Sequence, residues 1–149
     1  MNLTYRCKHV EISDGVWVKE PLIPITLMGP TGIKLNFTAI LDSGSDFVLL
    51  PLEVAEALEL EYDKTKKDPA KTYVGERITT TRSKVRIRIE KGRENVTIEC
   101  RCAILLNKEH QYEHIILGST FFEHFRILFD YPNNRFQIKR PKQQVQIKR

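Results

Sequence analysis

One aspartate in this sequence lies in a short polar turn between two apolar segments, where it could do acid–base chemistry. Asp42 begins the turn Asp-Ser-Gly of residues 42–44. Ser43 can form a hydrogen bond across such a turn, and Gly44 leaves room for a close approach. A carboxylate gains most as an acid or a base when its position is fixed before substrate arrives. Asp42, Ser43 and Gly44 are therefore the candidate catalytic residues.

Two predicted strands hold this turn. Residues 34–41 alternate polar and apolar side chains, which predicts a strand with one buried face. Residues 47–50 are apolar throughout and predict a second buried strand. Asp-Ser-Gly also joins strands in many unrelated proteins, so the turn by itself does not define the chemistry.

A second segment of the chain has an equally specific order of elements. Residues 115–117 predict a short apolar strand that meets Gly118, and Ser119 or Thr120 can cap a helical turn behind it. A strand, a proline–asparagine turn and a last strand then predict a closing hairpin over residues 127–138.

These two motifs, about 75 residues apart with a hairpin-like segment between them, resemble those of the retropepsin-like aspartic proteases, which include the retroviral enzymes and their cellular relatives. The resemblance covers roughly residues 21–139. It implies an all-β fold, a closed retropepsin-like barrel with one or two short helices, in a two-fold homodimer. It also carries over Asp42 as the catalytic aspartate, with Ser43 and Gly44 as its supporting turn. Asp46 would hold substrate backbone, and Gly118 would pack beside the catalytic turn, at the substrate site.

An aspartic protease needs two carboxylates that share one proton, one as general base for water and one to polarise the scissile carbonyl. This chain has one such turn, so the resemblance implies that a second chain supplies the other Asp42 across a two-fold axis. The expected partners are a second copy and a peptide or protein substrate in an extended conformation. No metal or organic cofactor is required, and the implied activity is that of an aspartic endopeptidase.

A flap over the active site is predicted from position. Residues 73–81 combine β-forming residues with one central glycine, which is typical of a mobile hairpin that closes over a site. Tyr73 and Gly75 are therefore candidate substrate-binding residues, although no stretch matches a family flap residue by residue.

The other predicted elements are a first strand from Leu3 to His9, a proline-interrupted strand region at 16–28, a helix at 51–60, an exposed loop at 61–71, and strands at 84–90 and 96–106.

Length and charge limit the remaining possibilities. The 149 residues suit one domain, with a core at about 21–139, an N-terminal strand extension and a basic C-terminal tail. The net charge of +5 permits nucleic-acid binding but does not require it. No run of about 18 apolar residues and no signal-peptide core is present, so we expect a cytoplasmic protein that does not contact a membrane.

Other kinds of site fit the sequence less well. Cys100 and Cys102 could bind zinc together with Cys7 and a histidine, but one intervening residue in mid-strand is typical of core packing. Ser43 and Ser45 lack the Gly-x-Ser-x-Gly elbow of serine hydrolases. The Asp42 turn also lacks the alternating oxygen ligands of a calcium loop.

Two alternative functions remain open from the sequence. The same fold could act as a dimeric peptide-binding or assembly module without turnover. The basic tail at 138–149 could contact nucleic acid, but it lacks aromatic stacking residues, which favours a solvated terminus or an extra interface strand. Peptide cleavage would support the protease, and salt-dependent nucleic-acid binding would support a role for the tail.

Overall fold

A computed structural model describes residues 1–71, 75, 77–107 and 114–141. Within these ranges the chain is mainly β, with two short helices and one 3₁₀ turn. Its strands are β1 (Asn2–Arg6), β2 (Lys8–Ser13), β3 (Val16–Glu20), β4 (Leu22–Met28), β5 (Lys34–Leu41), β6 (Val48–Pro51), β7 (Asp68–Lys71), β8 (Arg77–Lys91), β9 (Glu94–Leu105), β10 (Ile115–Leu117), β11 (Arg126–Asp130) and β12 (Arg135–Lys139). The helices are α1 (Leu52–Ala57) and α2 (Ser119–Phe122), and the 3₁₀ turn is Tyr131–Asn133. No helix in the described ranges is both long and apolar enough to span a membrane.

Seven strands form one sheet in the order β4-β5-β10-β6-β9-β8-β7. β4 also pairs with β8, and this second pairing closes the sheet into a barrel. β10 lies between β5, to which it is parallel, and β6, to which it is antiparallel. The closed β-barrel and the short helices expected from the resemblance are therefore present.

The barrel core follows the alternation seen in the sequence. Ala39 and Leu41 of β5 are buried, as are Val48 and Leu50 of β6, so the two strands that flank the Asp42 turn are anchored as predicted. A buried face also runs along β9, and it includes Val96, Ile98, Cys100, Cys102 and Ile104. These side chains belong to one apolar cluster that continues into β1 and β12.

A separate three-stranded sheet has the order β1-β12-β11. The predicted closing hairpin is confirmed as β11 and β12, and the N-terminal strand β1 pairs with β12. The predicted first strand is divided at Cys7, where the backbone N–H turns away to donate to the Asn134 carbonyl at 3.0 Å. Beyond this point, β2 and β3 form a two-stranded hairpin of their own.

The prolines act as the sequence predicts. Pro21 separates β3 from β4, so the strand region at 16–28 is broken there. Pro24 lies within β4 opposite Thr38 of β5, and the contact of β4 with β8 begins only at Thr26. At Pro24, β4 therefore pairs with β5 alone, and a residue without an N–H is tolerated there because no second strand needs that donor.

Two predicted boundaries are wrong. The segment 61–71 is not all loop, because Asp68–Lys71 forms β7 and pairs with the start of β8. The predicted hairpin arm up to residue 81 and the predicted strand at 84–90 form one continuous strand, β8. Composition did not reveal either feature, because each depends on pairing with a strand elsewhere in the sheet.

The helix predicted over residues 51–60 is shorter than expected. Pro51 closes β6 and occupies the N-cap position, so α1 begins at Leu52. Glu59 adopts a φ of 55°, which ends any continuation of the helix. Leu58 and Leu60 are nevertheless buried in the core.

All three cysteines are buried as free thiols. Burial raises the pKa of both Cys100 and Cys102 to about 12, and it also raises the pKa of Cys7. The position of Cys100 and Cys102 on the buried face of β9 confirms that they pack in the core.

We predict that iodoacetamide at pH 8 leaves the thiols of the native chain unmodified for as long as it stays folded, because the thiolate is the reactive form and is scarce at that pH. Mass spectrometry should count three adducts per chain in guanidinium, which is the control, and none in buffer. Equal labelling rates in the two conditions would contradict the buried placement.

Candidate active site

Asp42 follows directly after β5 and is exposed in the single chain. Its carboxylate Oδ1 accepts a hydrogen bond from the Gly44 N–H at 3.0 Å, and its carbonyl accepts one from the Ser45 N–H at 3.2 Å. A Cβ at Gly44 would lie 3.2 Å from Asp42 Oδ1, so glycine permits this tight turn. Within the described ranges the Ser43 hydroxyl has no hydrogen-bond partner, so the expected bond across the turn is not formed.

The turn is fastened to the chain that follows β10. The Asp42 N–H donates to the Leu117 carbonyl at 3.0 Å. Further along both segments, the Ser119 N–H donates to the Ser45 carbonyl at 2.8 Å. The Thr120 N–H then donates to the Asp46 carbonyl at 3.3 Å. Backbone bonds at both ends of the turn therefore fix its position relative to the barrel.

Gly118 lies at the closest point of this contact. A Cβ on Gly118 would be 2.4 Å from the carbonyl oxygens of both Ser45 and Phe47, closer than any side chain allows. The structure thus brings Gly118 beside the Asp42 turn, as the resemblance implied. Gly118 does not line the cavity next to Asp42, so it contacts the turn and not the space in front of it.

Thr120 strengthens the same contact with its side chain. Its hydroxyl accepts a hydrogen bond from the Val48 N–H at 2.9 Å and donates one to the Arg101 carbonyl at 2.8 Å. Thr120 is 3% exposed, so these bonds join β6, β9 and α2 in the interior.

The prediction that Ser119 or Thr120 caps the helix is wrong, because Gly118 is the N-cap residue and no side chain caps it. The two partners of the Thr120 hydroxyl are 72 and 19 positions away, so no local pattern in the sequence indicates these bonds.

A cavity of about 600 Å³ opens beside Asp42. Asp42, Gly44, Ser45 and Asp46 lie on one wall. The floor is apolar, with Leu49, Ala103 and Ile116. The opposite wall comes from β7 together with Ile78, Thr80 and Arg82 of β8. This arrangement leaves a groove with a carboxylate on one side and a β-hairpin on the other.

The segment predicted as a flap overlaps the β7–β8 hairpin. The arms β7 and β8 form the far wall of the cavity, so the hairpin does face the Asp42 turn. Gly75 is exposed and has a φ of 86°, as suits a hairpin tip, but it does not line the cavity. Tyr73 lies outside the described residues. The roles of Tyr73 and Gly75 in binding substrate remain predictions.

Sequence reasoning missed one contact between the hairpin and the turn. The guanidinium of Arg82 stacks over the Phe47 ring at 3.9 Å, and its Nε lies 3.1 Å from Asp68 Oδ2 on β7. Arg82 therefore connects a hairpin arm with the residue that follows Asp46. Both groups of the ion pair are about half exposed, so its energy is about 0–1 kcal/mol. Nothing in the local pattern pairs these three residues, which are far apart in sequence.

Comparison with known proteins adds independent findings. A family model described as aspartyl protease matches residues 23–121, which include the Asp42 turn and Gly118. No curated protein matches the sequence significantly. The structure is similar to that of a retropepsin-like aspartic protease from Rickettsia conorii, with 18% identity over 93% of this chain and 90% of that chain and a TM-score of 0.53. An EIAV protease complexed with an inhibitor matches 67% of this chain and 82% of its own at 20% identity, with a TM-score of 0.44. The likeness to the Rickettsia structure shows that the fold is retropepsin-like.

We predict that Gly118→Ala lowers the free energy of unfolding by about 1–3 kcal/mol, because the added methyl group overlaps two backbone carbonyls. Ser119→Ala, one residue later at an exposed position, is the matched control and should change stability little. Urea denaturation measures both variants. A Gly118→Ala chain as stable as the wild type would show that the close approach is not a constraint.

Proposed function

The chain belongs to the aspartyl protease family, and we propose that it is an aspartic endopeptidase whose active site forms between two copies of the chain. The observation that carries this proposal is the fixed position of Asp42 beside an open cavity, in a turn fastened by backbone bonds. A catalytic carboxylate needs this pre-organisation. The family match covers the residues that provide it.

The proposed reaction uses the two Asp42 carboxyls in different protonation states. The ionised Asp42 accepts a proton from water as the water oxygen attacks the scissile carbonyl carbon. The protonated Asp42 of the other chain donates its proton to the carbonyl oxygen, which gives a tetrahedral diol. Transfer of a proton to the amide nitrogen then accompanies cleavage of the C–N bond and releases an amine and a carboxylic acid. Two like charges held close together favour the state in which one proton is shared.

The cavity fits a peptide in an extended conformation. Its two long walls are the Asp42 turn and the β7–β8 hairpin, and an extended peptide between them can form strand-like backbone bonds. Asp46 lies on the cavity wall, where it can hold substrate backbone. The apolar floor around Leu49 and Ile116 suits an apolar substrate side chain next to the bond that is cut.

A strand at the edge of a sheet supports the homodimer. β11 is one of the two outer strands of its sheet, and Leu128 at its centre is 56% exposed. If β11 pairs antiparallel with its own copy about Leu128, Arg126 of each chain lies opposite Asp130 of the other. Hydrogen bonds from Asn133 and Arg135 hold the pKa of Asp130 below its usual range, so this carboxyl is ionised at neutral pH. The strand is therefore complementary in charge to a second copy of itself.

We predict that Asp42→Asn gives a chain that folds and pairs but does not cut peptides, because the amide can neither take nor give the required proton. The mutant should also inhibit the wild-type enzyme through subunit exchange. With a nine-fold excess of mutant, random pairing leaves about a tenth of wild-type chains in wild-type dimers, so activity per wild-type chain should fall to about a tenth. Peptide hydrolysis after prolonged mixing measures this.

Glu53→Gln is the control, since it removes an exposed carboxylate from α1, and the same excess of it should not inhibit. Activity per wild-type chain that stays constant in the presence of Asp42→Asn would contradict the shared site. If the wild-type chain itself binds peptides and never cleaves them, the protein is a dimeric binding module and the proposed reaction is wrong.

A further inference from the structure

The exposed large apolar side chains of the described residues are concentrated in two places. One is the N-terminal region with the β2–β3 hairpin, and the other is β11 with the 3₁₀ turn behind it. The seven side chains are Met1, Ile12, Val16, Trp17, Leu128, Phe129 and Tyr131. Trp17 is 59% exposed, although tryptophan is a residue that folding normally covers. Such a concentration on a soluble surface is typical of an interaction site.

The hairpin and the end of β11 are neighbours. Lys19 Nζ on β3 donates to the Tyr131 carbonyl at 2.8 Å. The ring of Tyr131 packs edge-on against Phe129, with 6.1 Å between centroids. Strand alternation puts Trp17 on the same face of β3 as Lys19, which is the face turned toward Tyr131. The exposed aromatic side chains of β11 and of the hairpin therefore lie on adjoining elements.

The base of the hairpin reaches β5, the strand that leads into the Asp42 turn. The Leu41 N–H, one residue before Asp42, donates to the Pro21 carbonyl at 3.1 Å. Pro21 is the residue that follows β3 directly. The base of the hairpin therefore lies beside the strand that enters the Asp42 turn, where the proposed second copy would bring its own Asp42.

The β11 strand alone is too small to hold such a pair together. It offers five residues, whereas a stable protein interface uses about 20–30 residues on each side. Additional surface must come from elements next to β11. The β2–β3 hairpin, which bonds to the end of β11 through Lys19, carries three more exposed apolar side chains, and it is outside the segment 23–121 that matches the family model.

We propose that the β2–β3 hairpin is a dimerisation arm, which packs Trp17 against a second copy of the chain beside the paired β11 strands. This inference rests on the proposed function, because it assumes that the two Asp42 turns meet. Trp17 is the centre of the contact, since a large amphipathic ring that loses solvent contributes more than any smaller side chain. Ile12 and Val16 at the hairpin tip extend the apolar surface.

Trp17 is the chain's single tryptophan and therefore reports on its own burial. The full-length chain is diluted through the concentration range in which sedimentation equilibrium detects dissociation, and its fluorescence is recorded at each concentration. On dimerisation the emission should move to shorter wavelength, and quenching by acrylamide should fall by about half or more, as the ring loses contact with water. Both changes should have the same midpoint as the change in mass.

Substitution gives the second readout. Trp17→Glu should raise the dissociation constant of the dimer about ten-fold or more, because a charge replaces the central apolar contact. Thr97→Glu adds the same charge at an exposed strand position on β9 and should leave the constant unchanged. Circular dichroism of both variants tests whether the fold is retained. The fluorescence experiment uses the unsubstituted chain, so its result holds even if a variant does not fold.

The outcomes separate this inference from the proposed function. A dimer that forms with no change in Trp17 emission or quenching, or one that Trp17→Glu does not weaken, overturns the dimerisation arm and leaves the shared Asp42 site intact. A chain that stays monomeric at every concentration overturns both proposals. Dimerisation with concurrent burial of Trp17 supports the arm even if no peptide is cleaved.

Discussion

The close approach of Gly118 to the carbonyls of Ser45 and Phe47 is the contact on which the Asp42 site depends. Because no side chain separates the two backbones, peptide groups of the turn bond directly to those after β10. β10 is itself held between β5 and β6, the strands that enter and leave the turn. The position of the carboxylate is therefore determined by the barrel, and it does not rely on the conformation of a free loop.

In the proposed dimer each chain would supply half of the active site, with its carboxylate already fixed in position by the barrel. Asp42 is exposed at the edge of a groove whose other wall is the β7–β8 hairpin, and the chain has one such turn. A carboxylate that must share its proton with a second carboxylate gains its chemistry only when another copy is present. In the proposed dimer the elements that surround Asp42 would have two tasks, to hold the turn in place and to present the surface that meets the second copy.

The sequence predicts the parts of the site that local pattern determines. The alternation along β5, the turn at Asp42 and the glycine after an apolar strand are each visible within ten residues, and the structure places Gly118 beside the turn. The buried face of β9 was predictable in the same way. The pairing of β7 with β8 was not, because Asp68–Lys71 is polar and contains a proline, and only the neighbouring strand makes it extended. The stacking of Arg82 on Phe47 and the bonds of Thr120 join distant segments, so no local pattern could indicate them.

The central claim is that two chains form one catalytic site, and the stoichiometry of a tight inhibitor tests it most directly. A peptide analogue with a hydroxyl group in place of the scissile carbonyl mimics the tetrahedral intermediate and should bind between both Asp42 carboxyls. Isothermal titration calorimetry at concentrations that favour association should give one analogue bound for every two chains. One analogue per chain would show that each Asp42 turn acts alone, and this result would contradict the shared site.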